Sequence, residues 1–175
     1  MKSKYAIILC LALIVLTTAA AFGSLTGESR AALNQLLAQN QAARKVSSQA
    51  MGVLVFPNVV KAGFMFGAQG GQGTLFVHGK PAGKYRTFAA SYGLQGGAQK
   101  YGYALFFMNQ KAVDWVNKAR GWSLGSAPSL VVVDKGAART INTETLHSGI
   151  YAFTFDQKGL MGGLGIQGSK IERID

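Results

Sequence analysis

Residues 50–77 read AMGVLVFPNVVKAGFMFGAQGGQGTLFV, and this stretch decides the fold. Gly52-Val53-Leu54-Val55-Phe56 is a short apolar run closed by Pro57-Asn58, the pattern of a buried strand rather than of a helix. Gly63-Phe64-Met65-Phe66-Gly67 and Thr74-Leu75-Phe76-Val77 are two further runs of the same kind. The glycine-rich Gly70-Gly71-Gln72-Gly73 between them predicts the turn of a hairpin.

The same grammar continues downstream. A polar connection from His78 to Lys84, with Gly79, Pro81 and Gly83, leads into Thr87–Gln99 and then the aromatic, β-type Tyr101–Met108. Leu130–Val133 predicts a strand ending in the turn Asp134-Lys135-Gly136. Tyr151–Phe155 and Leu160–Ile166 predict a pair around Asp156-Gln157-Lys158-Gly159, and Lys170–Ile174 adds one strand more. Two stretches differ. Glu28–Gln49 lacks Gly and Pro and repeats apolar residues at three-to-four spacing (Leu33, Leu36, Leu37, Ala43, Val46), with Thr26 or Ser29 as candidate caps. Asn109–Arg120 carries a stripe of Ala112, Val113, Val116 and Ala119 and stops at Gly121. Glycine weakens a strand interior, so Gly93, Gly96, Gly97 and Gly102 in one cluster and Gly162, Gly163, Gly165 and Gly168 in another imply sharp bending of the sheet. The expected fold is α+β: a compact, strongly curved antiparallel sheet or barrel-like core with a long N-terminal helix and one internal helix.

The N-terminus reads as a separate unit. Lys2 and Lys4 precede the apolar run Ala6–Leu16, and small residues up to Ala19-Ala20-Ala21 follow, which is the anatomy of a secretory signal peptide. Residues 1–23 are expected to be removed after Ala21 or Gly23, leaving 24–175 as one domain, periplasmic or secreted and possibly peripheral on a membrane. Cys10, the one cysteine, lies in the middle of the apolar run, too early for a lipidation site. The exported chain then has no thiol chemistry. It keeps 16 Lys and Arg against 7 Asp and Glu, a net charge of +9.

Signals for catalysis are scarce. His78 and His147 both fall in polar, turn-like segments, and metal sites need three or four converging ligands. No nucleophile elbow, HExxH or paired carboxylates are present. Gly79-Lys80-Pro81-Ala82-Gly83-Lys84 has a P-loop flavour, but His78 stands where the first glycine belongs and Tyr85 where Ser or Thr belongs. No metal, no cofactor and no enzymatic activity are therefore expected. An unrecognised enzyme would need His78 or His147 in a deep pocket beside a carboxylate.

The basic residues say more. Lys80, Lys84, Arg86 and Lys100 fall within about twenty residues of one another and are interleaved with aromatics, Tyr85 and Tyr101 among them. Arg44 and Lys45 end the first helical stretch, where the helix dipole also favours cations. Basic residues among aromatics suit anionic headgroups or nucleic acid, and export argues against nucleic acid as a partner. Lys80, Lys84, Arg86, Lys100, Arg44, Lys45, Tyr85 and Tyr101 are thus the candidate lipid-binding residues.

Read together, Ala50–Gly67, Gly70–Gly73, Ser91-Tyr92-Gly93-Leu94-Gln95-Gly96-Gly97-Ala98-Gln99 and the aromatic strand running to Asn109 resemble the SYLF domain, in the family's order and approximate spacing. The likeness runs from about Ala32 to Ile174. It implies lipid binding, directed at phosphoinositides in eukaryotic members, some of which also bind actin. It also implies membrane contact through an amphipathic N-terminal helix, here Glu28–Gln49. The leading expectation is a non-catalytic exported module that docks on anionic phospholipid. The alternative is a periplasmic structural or interaction protein that meets a protein or a cell-envelope polymer.

Overall fold

Two strands of unusual length organise the molecule. The structure, a computed structural model, describes residues 25–118, 122–123, 130–133, 149–159 and 168–175. Strand β1 is Gly52–Val77 and β2 is Lys80–Phe107, paired antiparallel from Gly52 opposite Phe107 to Val77 opposite Lys80. Between them, His78 and Gly79 both take positive φ (48° and 75°), the geometry of a two-residue hairpin turn. The turn predicted at Gly70–Gly73 is therefore corrected: those glycines lie inside β1.

Strand geometry explains what the glycines do there. At about 3.3 Å per residue, a straight β1 would run roughly 86 Å, far beyond the span of one small domain. Instead the ribbon curls, with irregularities in pairing after Phe56, Gly63 and Leu75. The beginning and end of β1 come to lie side by side. The N–H of His78 donates to Met51 O at 3.2 Å. A Cβ on Gly73 would overlap the Val55 carbonyl oxygen, and one on Gly71 would sit 2.6 Å from Asn58 O. The bend itself falls near Gly63–Gly67, where a Cβ on Gly63 would overlap the backbone of Phe66 and Gly67.

The remaining strands extend the curl. β3 is Trp122–Ser123, β4 Leu130–Val133, β5 Ile150–Gly159 and β6 Lys170–Arg173. β5 pairs with the second half of β2 and β6 with its first half, both antiparallel, and β3 pairs with β6. β4 runs parallel to β5, so the sheet is mixed at that edge. The turn read at Asp156–Gly159 is instead strand, with Asp156 at a positive φ of 53°. The strand expected at Leu160–Ile166 lies outside the described residues, as do Asp134–Gly136 and His147.

Helices cover the two faces. The single helix expected over Glu28–Gln49 is two: α1 over 25–39 and α2 at Gln41–Ser47. Asn40 separates them. It adopts extended φ/ψ and its side chain accepts from Ala43 N at 3.0 Å, while Arg44 donates to the carbonyls of Leu37 (2.6 Å) and Ala38 (2.9 Å) at the end of α1. Neither Thr26 nor Ser29 is a cap, since both lie within α1. α3 is Gln110–Lys118, and the Asn109 side chain accepts from Ala112 N at 2.9 Å.

Alternation along the strands divides the core. Leu54, Phe56, Leu75, Tyr85, Tyr103, Leu105 and Phe107 point inward, to the side that α3 covers with Val113 and Val116. Val53, Val55, Phe76, Ala104 and Phe106 point outward, beneath Leu36, Ala43 and Val46 of α1 and α2. The helices stop short of the bend. Beyond them, on the outer face, Val60, Phe66 and Phe88 are exposed.

Candidate docking surface

Period-two alternation fixes which β2 side chains reach water. Gly83, Tyr85 and Thr87 are buried, whereas Lys80, Arg86 and Phe88 are exposed and Lys84 is half-buried. In the second half of β2, Tyr101 is buried and Lys100 exposed. Tyr85 and Tyr101 are therefore corrected as surface aromatics, because strand parity turns them into the core. Tyr85 OH donates to Asn117 Oδ1 at 3.0 Å, and Tyr101 OH donates to Gln69 Oε1 at 3.1 Å, with Gln69 donating in turn to Ser169 Oγ at 2.6 Å. Burial raises the pKa of the Tyr85 phenol and pushes that of Tyr101 up to about 12. Tyr103, which donates to Thr87 Oγ1 at 2.7 Å, is driven upward by the same desolvation.

The structure separates the expected cations. Arg44 and Lys45 ride on α2, with Arg44 engaged at the end of α1. Lys80 stands beside the hairpin turn, opposite Val77 and roughly 26 Å along β2 from Phe88 at strand rise. Arg86 and Lys100 belong to the outer face. Arg86 lies opposite Glu172 and pairs with its carboxylate at 2.5 Å, and its guanidinium sits 5.8 Å from the Phe88 ring.

Cross-strand register brings in residues that sequence reading missed. Val60 faces Lys100, and Lys100 faces Lys158. Gly70 faces Phe88, and Phe88 faces Lys170. The close pass of Gly71 against Asn58 and Val59 sets these two rows beside one another. The combined strip is Lys158, Lys100, Val60, Gly70, Phe88 and Lys170, and all six are exposed. Val60 is 51% exposed and Phe88 38%, while Phe66 at the bend beyond them is 72% exposed. Among the described residues no carboxylate pairs with Lys100, Lys158 or Lys170, and no three His, Cys, Asp or Glu side chains converge as a metal site. Two lysines directly opposed on a sheet repel each other. The arrangement concentrates positive charge on one exposed strip of the sheet.

A family model described as Ysc84: Las17-binding protein actin regulator matches residues 88–175. The chain belongs to the Ysc84 family. The match starts at Phe88 and so takes in Lys100, Lys158 and Lys170, along with β2 from Phe88 onward and β3 to β6. It agrees with the SYLF resemblance carried by the glycine and aromatic motifs. Ysc84 domains are binding domains, and a binding module is the class of function this chain shares with them. No curated protein matches the chain.

Proposed function

We propose that the protein docks peripherally on anionic phospholipid through the outer face of its sheet. The observation that supports this most is the strip in which Lys158, Lys100 and Lys170 flank the exposed apolar Val60 and Phe88. Lysines placed around an apolar centre match a headgroup layer, which offers phosphate at its surface and hydrocarbon just below. Phe66 at the bend and Arg86 next to Phe88 enlarge the same footprint. Export through residues 1–23 would bring this face to an envelope or extracellular membrane surface, an assignment that N-terminal sequencing of the chain recovered from the exported fraction tests.

The assay is vesicle co-sedimentation of the triple variant Lys100→Gln, Lys158→Gln and Lys170→Gln. Each cation near an anionic surface contributes about 1 kcal/mol, so the variant should bind roughly a hundredfold more weakly at low salt. Replacing Lys80 and Lys45 instead should matter much less. Equal loss from both sets would leave only nonspecific attraction by net charge. Unchanged binding by the triple variant would remove the strip from the account and favour a protein or envelope-polymer partner.

A further inference from the structure

Away from the strip, a cavity of about 140 Å³ opens between α1, the end of α2 and the hairpin turn. Leu33, Val53 and Phe76 give it an apolar wall; Arg30, Ser47 and His78 supply polar groups. Its size is close to that of an engineered apolar cavity of about 150 Å³ that accepts benzene. The feature that distinguishes it is Arg30. One guanidinium nitrogen donates to Gly79 O at 2.8 Å, and the guanidinium carbon lies 4.5 Å over the Phe76 ring. Those two contacts hold the group in place while leaving other N–H donors of its planar fork for a ligand. No acidic residue lines the cavity, and among the described residues no carboxylate pairs with Arg30. His78 is held at the rim by its strained backbone conformation and by its N–H bond to Met51 O.

From this geometry we infer a binding site for a small organic carboxylate with a compact apolar body. The carboxylate pairs with the Arg30 fork, and the hydrocarbon part lies against Leu33, Val53 and Phe76. A preoriented guanidinium beside an apolar pocket discriminates charge and size together. A flat anionic surface does not fit so small a concavity, so this site is independent of the docking strip.

The test is an amide chemical-shift titration of the full chain with benzoate, with benzyl alcohol as its uncharged counterpart and sulfate as an anion without an apolar body. Saturable shifts confined to Met51, Gly52, Gly79 and their neighbours are expected with benzoate, at millimolar concentration or below. Benzyl alcohol and sulfate should each bind at least roughly tenfold more weakly, the loss of one charge-assisted contact or of the apolar contact. Arg30→Gln should lose roughly tenfold or more, and Leu33→Phe, which keeps the charge and fills the space, should abolish the shifts while the rest of the spectrum is retained. Benzoate binding that survives Arg30→Gln, or no localised shifts across the millimolar range, would overturn the assignment.

Discussion

Gly73→Ala should be among the most damaging single-methyl additions in the protein. The added Cβ would overlap the Val55 carbonyl oxygen and lie 2.8 Å from Phe56 Cδ1 and 2.9 Å from the Val55 carbonyl carbon. Ordinary contacts between such atoms begin near 3.5 Å, so the two halves of β1 would have to part. Neither side can yield cheaply, because Val55 and Phe56 are fully buried and Phe56 packs tilted against Tyr103 with ring centroids 4.7 Å apart. Overpacking a dense core costs about 1–3 kcal/mol, and backbone overlap places this site at the upper end. With a urea slope of about 2 kcal/mol/M, a loss of about 3 kcal/mol lowers the unfolding midpoint by about 1.5 M. Gly70→Ala is the control. It lies three residues away on the outer face, where the nearest atom to a new Cβ is Thr87 O at 3.7 Å. Its stability should stay within a few tenths of a kcal/mol of the parent. Equal midpoints for Gly73→Ala and the parent would refute the doubled-back course of β1.

Two further predictions concern ionisable groups. Tyr101 keeps its proton in the folded chain up to about pH 12, while the unfolded chain releases it near 10. Stability is therefore intact below about pH 10 and falls as pH rises toward 12, because the unfolded state then binds fewer protons; ultraviolet tyrosinate absorbance followed alongside circular dichroism should show the most buried phenols ionising together with unfolding. Glu172→Gln removes the one carboxylate opposite Arg86 and should tighten binding to anionic vesicles about fivefold at low salt, at almost no cost in stability for an exposed pair; weaker binding would mean that the Arg86–Glu172 pair is itself part of the contact.

How far the sequence carried the reading depended on the range of each interaction. The apolar runs at Gly52–Phe56 and Tyr101–Met108 were legible as strands, because a short unbroken apolar or aromatic run is a local signal. That Pro57-Asn58 and Gly70–Gly73 do not end strands was not legible. Both sit where a single long strand bends or passes close to itself, and the Gly73 contact with Val55 spans the curl rather than neighbouring residues. Asn40 interrupts the N-terminal helix in a window with no Gly or Pro, through a side-chain cap that its spacing to Ala43 alone could have hinted at. For the docking surface, Arg86 and Lys100 were visible as basic residues among aromatics. Strand parity, which depends on where the irregularities fall, sends Tyr85 and Tyr101 inward and Phe88 outward. Lys158 and Lys170 could not be joined to Lys100 without the register that sets β5 and β6 on either side of the curl.

The proposed docking rests on attraction between the exposed lysines of the outer sheet face and an anionic lipid surface. Its most direct test is co-sedimentation of the protein with vesicles of graded anionic content over a salt series. Binding should rise steeply with anionic lipid and fall as salt screens the lysines. Absence of binding to strongly anionic vesicles at low salt would contradict it.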